Sequence, residues 1–442
     1  MASIRKRGNS YQITVSNGYD INGKKILETT TYTPDTSKTP KQQEKALQEF
    51  VSNFEKKVKD GLVLKGDKLT LQEYSDKWLK EYASKNLAKT TYENYVQNLQ
   101  LRILPALGHI KLSEIKPLHL QSFYNNLLED GVRSDKKKGG LSAATIKKTH
   151  AVLSSMLKTA VQWQLIMNNP CDRVKPPKKS TSQEDLYITD IKYFTLEQTV
   201  LFLSYLDKGY TVKYKDRKRY NGNGNLYSVA GYTESKKIPT QLKLFYNLAI
   251  FGGLRRGELI ALTWDDIDLE TGIISVTKST AYVKGEILTK VPKNKSSIRT
   301  IMIPRTVLDI AKQYKKEQLQ YRLSLGDQWI ETNHIFIQWN GLQMHPDTPY
   351  NSFKKIIKRY NDTITNDEDK LPNIPLHGLR HTSATLLISD NVDVRTVSAR
   401  LGHSQTSTTM NIYAHALKEM DTKAANSLEN LIKSNHNKES LA

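Results

Sequence analysis

The sequence predicts a multidomain α+β protein with three folded parts. A small three-stranded sheet with one helix comes first, then a four-helix domain, then a mixed, mainly helical domain with a small antiparallel sheet. Three observations predict this. Alternating apolar runs near the N-terminus give way to one amphipathic helix, four helix-start signals with apolar stripes follow, and strands interleave with helices beyond about residue 188. A chain of 442 residues is also too long for one compact core.

Residues 1–62 form the first domain. Ser10-Tyr11-Gln12-Ile13-Thr14-Val15 and Ile26-Leu27-Glu28-Thr29-Thr30-Thr31-Tyr32 alternate as strands do, around a turn at Ile21-Asn22-Gly23-Lys24. Pro40 opens a helix with apolar residues at Ala46, Leu47, Phe50, Val51 and Phe54, spaced by three and four. A linker at Gly61–Asp67 leads into the helical domain, residues 67–175. Thr70 with Glu73 and Thr90 with Glu93 have capping-box spacing, and Ser113 and Ser142 are the expected N-caps of the other two helices. The first stripe is Leu71, Tyr74, Trp78, Leu79 and Tyr82. The last is Ile146, Val152, Leu153, Met156, Leu157, Ala160 and Val161. Arg133–Gly140 reads as a basic loop.

Residues 176–187, with two prolines and several lysines around them, read as an extended, positively charged linker. The third domain spans 188–433, and the polar end, 434–442, is expected to be disordered. Thr195 with Gln198 caps its first helix. Residues 210–239, rich in Tyr, Lys, Gly and Asn, read as an insertion with weak hairpin character. Helices follow at Gln241–Phe251 and Arg256–Leu262, and strands at Ile273–Thr277 and Ile298–Ile303. Further helices are expected over Pro304–Gln320, Thr348–Arg359, Leu379–Ser389, Val394–Arg400 and Thr406–Tyr413.

Composition narrows the function. Lys and Arg exceed Asp and Glu by 66 − 45 = 21, which favours a polyanionic partner and counterion release from phosphates. No stretch approaches the roughly 20 consecutive apolar residues that span a bilayer, and no lipid-binding amphipathic helix appears. The basic start lacks the apolar run of a signal peptide, so a cytoplasmic, nucleoid-associated protein is expected, with no membrane partner. One cysteine, Cys171, excludes an internal disulfide framework and a cysteine-cluster metal site.

Four short elements carry chemistry. Gly252-Gly253-Leu254-Arg255-Arg256-Gly257-Glu258-Leu259 puts an arginine beside two glycines after an apolar helix. Its bland alternative is a helix break whose arginine pairs with Glu258. Pro375-Leu376-His377-Gly378-Leu379-Arg380-His381 puts His377 and Arg380 on one face at a helix start, a cradle for an anionic group. His377 and His381 also have zinc-ligand spacing, but with no third ligand a metal is not expected. Leu401-Gly402-His403 is a helix stop followed by histidine, and Met410-Asn411-Ile412-Tyr413 holds a tyrosine among apolar neighbours.

Each element alone is weak. Together, in this order and with Tyr413 ten residues after His403, they make the sequence from about residue 65 to 420 resemble the tyrosine recombinase family of phage and conjugative-transposon integrases. The resemblance implies a site-specific DNA recombinase. Tyr413 would attack the scissile phosphate, giving a 3′-phosphotyrosine and a free 5′-hydroxyl. Arg255 and Arg380 would hold the nonbridging oxygens, with His377 accepting the tyrosine proton and His403 bonding the phosphate. A hairpin lysine would protonate the leaving oxygen, Lys293 in preference to Lys295 within Pro292-Lys293-Asn294-Lys295. Glu258 and Asp266 are expected to be structural.

No cofactor is implied, because the covalent intermediate stores the phosphodiester energy. The partners implied are double-stranded DNA at core and arm attachment sites and a homotetramer on that DNA. An excisionase and a host DNA-bending protein are candidate accessories. The N-terminal module resembles an arm-binding domain. Leu417, Met420, Leu428, Leu431 and Ile432 suit a C-terminal helix that docks in cis or in trans. Two rival functions are a DNA-binding regulator with a degenerate site and a type IB topoisomerase.

Overall fold

The computed structural model describes residues 2–19, 22–59, 69–135, 137–178, 192–222, 224–292, 295–412 and 429. The chain divides into two compact units, Met1–Ser180 and Thr181–Ala442. The linker expected at Gly61–Asp67, most of that expected at 176–187, and the C-terminal docking helix lie outside the described residues.

The first unit opens with an antiparallel sheet in the order β1 (Ser3–Arg7), β2 (Ser10–Tyr19), β3 (Lys25–Tyr32). The strand without an individual sequence signal is β1, built from the basic start Ile4-Arg5-Lys6-Arg7. All five of its residues are exposed, and pairing with β2 through Ile4↔Ile13 rather than burial makes it a strand. Ile13 and Val15 on β2 and Val58 on the helix Pro40–Lys59 are the buried centre, with Leu47, Phe50, Val51 and Phe54 packed around them. The helix stripe read from the sequence is therefore the face that covers the sheet.

A second core joins the helices of this unit. Leu71, Tyr74, Trp78, Ile146, Val152, Leu153, Met156, Leu157 and Ala160 are buried in it, with Leu79, Tyr82 and Val161 packed at its edge. Thr70 and Glu73 form the expected capping box, and the Ser142 side chain accepts a hydrogen bond from Thr145 N. Two expected caps are overturned. Thr90 lies inside its helix, Lys89–Asn98, which begins after Ala88 with no side-chain cap. Tyr92 N already donates to Ala88 O at 2.9 Å, and Leu87 and Tyr92 pack on the core, so packing starts the helix ahead of Thr90. Ser113 sits in a short 3₁₀ turn, Leu112–Glu114, and the next helix is Pro117–Asn126. Proline at the first helical position supplies the start, since its fixed φ suits a helix and no donor is lost there.

In the second unit Thr195 caps the helix Leu196–Lys208 as expected. Residues 210–236 are more ordered than weak hairpin character suggests. They form two antiparallel pairs, β4 (Tyr210–Tyr214) with β7 (Tyr232–Lys236), and β5 (Arg217–Tyr220) with β6 (Leu226–Val229). The buried helix Thr240–Phe251 follows, packed against Arg305–Leu325 and Gly378–Ser389. Two more pairs, β8 (Ile273–Val276) with β11 (Arg299–Met302) and β9 (Ser279–Val283) with β10 (Glu286–Lys290), form the small sheets. The helices Asp347–Asn361, Val394–Leu401 and Thr406–Ile412 complete this part. No described helix is long and apolar enough to cross a membrane.

Candidate active site

The site is organised by the C-terminal end of the helix Val394–Leu401. That helix stops at Gly402, whose φ of +69° is the left-handed conformation that glycine adopts without strain. His403 N then folds back onto Ser398 O at 3.1 Å. Helices leave their last carbonyls without intrahelical partners, and those oxygens carry the negative end of the macrodipole. Here three consecutive carbonyls each accept from a different arginine. Arg299 Nε donates to Arg400 O at 2.6 Å, Arg380 Nη2 to Leu401 O at 2.7 Å, and Arg255 Nη2 to Gly402 O at 3.2 Å.

Each arginine arrives by a separate local device. Arg255 is the extended residue before the helix Arg256–Ala261, where its own amide donates to the Glu258 carboxylate at 3.0 Å in a capping box. Its guanidinium also donates to Glu258, at 2.7 Å. The bland alternative, an arginine paired with Glu258, is thus half correct: the pair exists, but Arg255 is only partly exposed and points to the Gly402 turn. Its neighbour Arg256 faces outward and pairs with Asp347 at 2.8 Å. Arg380 is in the first turn of Gly378–Ser389, only 2% exposed, and its second contact is Gly253 O at 2.6 Å. Gly253, with φ +61°, permits this approach, because a Cβ there would lie 2.7 Å from Leu401 Cδ2.

Arg299 is the site residue that the motif reading missed. It lies on β11 opposite Val276, on the same strand face as buried Ile301, and its guanidinium donates to Glu258 Oε2 at 2.9 Å. The period-2 pattern Arg299, Ile301, Ile303 was the available signal that a cation points inward. Glu258 thereby sits between Arg255 and Arg299 with only 3% of its side chain exposed. Burial by itself would raise its pKa. Arg299, as hydrogen-bond donor and as charge, and then Arg255 reverse this and hold it below the usual carboxylate value.

Residues 225–420 match the phage integrase family, and residues 70–128 match the phage integrase N-terminal SAM-like domain, together more than half of the chain. The chain belongs to the phage integrase family. Its relatives include a tyrosine recombinase XerC-like protein of Caldanaerobacter subterraneus, 28% identical over 95% of this chain and 96% of that protein. The ICEBs1 integrase of Bacillus subtilis is 28% identical over 77% of this chain and 78% of its own. Among solved structures, the Tn1549 transposon integrase in complex with a circular intermediate DNA has the same fold. It aligns with a TM-score of 0.57 at 21% identity, covering 80% of this chain and 99% of that one. The chain is thus a tyrosine recombinase of the phage or conjugative-transposon integrase type, an enzyme of DNA strand cleavage and rejoining.

Within this integrase-family site the surroundings of both histidines favour the neutral ring. His403 is half-buried, with Nδ1 2.8 Å from the fully buried Thr409 hydroxyl. Burial, followed by Arg380, Arg255, Arg299 and His377, pushes its pKa down to about 4. His377 directly precedes the helix that carries Arg380, without a side-chain cap hydrogen bond, and its ring is edge-on to His381 at 4.8 Å. It keeps an exposed side, yet partial burial, then Arg380 and Arg255, lower its pKa against an opposing pull from Glu258. Arg255, His377, Arg380 and His403 are therefore one electrostatically connected cluster.

The remaining expected site residues are not placed. Tyr413 directly follows the described helix Thr406–Ile412 and, like Lys293, lies outside the described residues. Lys295 begins a 3₁₀ turn, Lys295–Ser297. The paired strand β10 ends at Lys290. Asp266 accepts from Lys278 at 3.1 Å and from its own helix-turn residue Thr263, a structural arrangement.

Proposed function

We propose that this recombinase integrates and excises a mobile element or prophage by a transient 3′-phosphotyrosine link, with Tyr413 as nucleophile. The observation that carries this reading is the convergence of Arg255, Arg380 and His403 on the turn at Leu401-Gly402, with His403 ten residues before Tyr413. Two guanidiniums fixed at one helix end suit the nonbridging oxygens of a scissile phosphate and the charge that grows on them in the transition state. Tyr413 Oη attacks phosphorus and the bond to the 5′-oxygen breaks. A tyrosine with an ordinary pKa near 10 needs a base, and neutral His377 accepts its proton. His403 donates a hydrogen bond from Nε2 to the phosphate in the tautomer whose Nδ1 accepts from the Thr409 hydroxyl. Lys293, or Lys295 in its place, protonates the leaving 5′-oxygen. The reverse sequence rejoins a new strand.

On this reading the part at 1–62 binds arm sites, and the parts at 67–175 and 188–433 bind the core site. Four copies act on two DNA partners in the bacterial cytoplasm, on the nucleoid. An excisionase and a host DNA-bending protein set direction. The support for these finer assignments is the family and the basic composition.

The test is a nicked duplex carrying the ends of the element, mixed with the full chain without metal or ATP and then denatured. A covalent protein–DNA adduct formed by the unaltered chain and not by Tyr413→Phe is expected. Binding of the true site with no adduct would sink the proposal and favour the regulator. Relaxation of supercoiled DNA without paired sites would favour the topoisomerase.

A further inference from the structure

The segment Tyr210–Lys236 is not used by the chemistry above. Gly209, with φ +76°, turns the chain out of the helix Leu196–Lys208; a Cβ there would lie 2.5 Å from Lys236 O. Tyr210 packs at the edge of the core, with the Arg359 guanidinium 4.2 Å over its ring. Tyr214 and Tyr232 stack across the ladder at 4.6 Å, and Lys236 Nζ donates to the Tyr214 hydroxyl at 2.9 Å. The root is therefore fastened. Root and outer pair together count 5 + 4 = 9 paired rungs, a contour on the order of 30 Å.

The outer pair has no core of its own. Arg217, Lys218, Arg219 and Tyr220 are all exposed, Tyr220 by 74%, and across from them Leu226 and Tyr227 are exposed by 51% and 46%. A two-stranded ribbon with both faces in water is marginal by itself. From 210 to 237 seven Lys and Arg face two acids, Asp216 and Glu234, a balance of 7 − 2 = +5. Both acids are occupied within the ribbon: Asp216 accepts from Gly231 N, and Glu234 pairs with Lys236. No described acid pairs with Lys218 or Arg219. At the far end of the 12-residue helix Thr240–Phe251, about 18 Å from the ribbon's root by helical rise, the chain turns toward Arg255.

We propose that this ribbon is a further DNA-binding arm, gripping the phosphate backbone of duplex flanking the cleavage site. The proposal rests on the chain being a DNA recombinase but not on the roles of the catalytic residues. Charge complementarity selects the partner. Unpaired Lys and Arg suit phosphates, whereas the centres of protein interfaces are depleted in lysine. Shape agrees, because a two-stranded ribbon fits the major groove of B-form DNA. Arg217 and Arg219 share one ribbon face with Tyr227, while Lys218 and Tyr220 share the other, so a ribbon lying in the groove meets both strands' backbones.

The test measures affinity against salt for the full chain and for Arg217→Gln/Lys218→Gln/Arg219→Gln. The probes are a duplex bearing the core site with its native flanks and one trimmed to the core. Three lost phosphate contacts lower the salt slope by about 2.7, so the unaltered chain's advantage on flanked DNA shrinks about 40-fold between roughly 50 and 200 mM salt. The trimmed duplex should show little difference between the two proteins. An unchanged slope on flanked DNA, with an unchanged melting temperature, would overturn the proposal. So would an unchanged slope with impaired assembly of higher complexes, which would make the ribbon a subunit contact. Failure of the unaltered chain to bind any duplex would sink the recombinase reading as well. Adduct formation that survives with an unchanged slope sinks the ribbon alone.

Discussion

Arg299→Met is the most informative single perturbation of the candidate site. Glu258 has 3% and Arg299 7% of their side chains exposed, and they meet at 2.9 Å. Removing the guanidinium strands a buried carboxylate with only Arg255 to hold it, and Arg400 O loses its donor. Breaking a buried ion pair from one side costs about 3–5 kcal/mol. For a unit of this size each kcal/mol lowers the melting temperature by about 2–4 °C, so calorimetry of the full chain should find a drop of about 6–20 °C. The decisive comparison is a double-mutant cycle with Glu258→Gln. An amide has no charge to strand, so Arg299→Met should cost at least about 2 kcal/mol less in that background. Acid should have the same effect. The Glu258 pKa is lowered on folding from 4.5, so its contribution is complete above that value and is lost as pH falls below it. Equal costs in both backgrounds at neutral pH, or a loss under about 1 kcal/mol in the parent, would refute the argument that Glu258 is the charged hub between two arginines.

Two further outcomes follow from the same turn. Gly402→Ala puts a Cβ 2.9 Å from Arg299 Nη1 and 3.1 Å from Ser296 O at φ +69°; a loss of about 1–3 kcal/mol in urea unfolding is expected, together with slower adduct formation. In the DNA-free protein His403 should titrate near 4 by NMR, so its cost to stability appears as pH falls from 6.5, where the unfolded ring takes up its proton; an inflection near 6.5 for that ring would contradict the pocket electrostatics.

Local signals in the sequence carried over well where they were local in cause. The capping boxes at Thr70 and Thr195, the Ser142 cap, the Gly402 stop and the shared face of His377 and Arg380 all depend on neighbours within four residues. Thr90 and Ser113 failed because packing of Leu87 and Tyr92, and the proline at 117, set those helix starts more strongly than a side-chain oxygen does. The arginine contacts were illegible for a different reason. Arg255 meets Gly402 across 147 positions and Arg299 meets Arg400 across 101, and the acceptors are main-chain oxygens, which every residue has. Motif spacing brought the right residue types together but could not show what they hold. It also passed over Arg299, whose only mark is its place in a strand alternation.

The use of main-chain oxygens bears on how this pocket can vary among descendants. As far as the carbonyls are concerned, the side chains at Arg400 and Leu401 could change while the oxygens kept their positions, because peptide geometry belongs to the path of the chain and not to its spelling. What cannot drift freely is the torsion that ends the helix. A lineage that lost the glycine at 402 would have to find that left-handed turn again, in asparagine for example, before its arginines could be aligned anew. Comparison among relatives should therefore find more tolerance at 400 and 401 than at that one small residue.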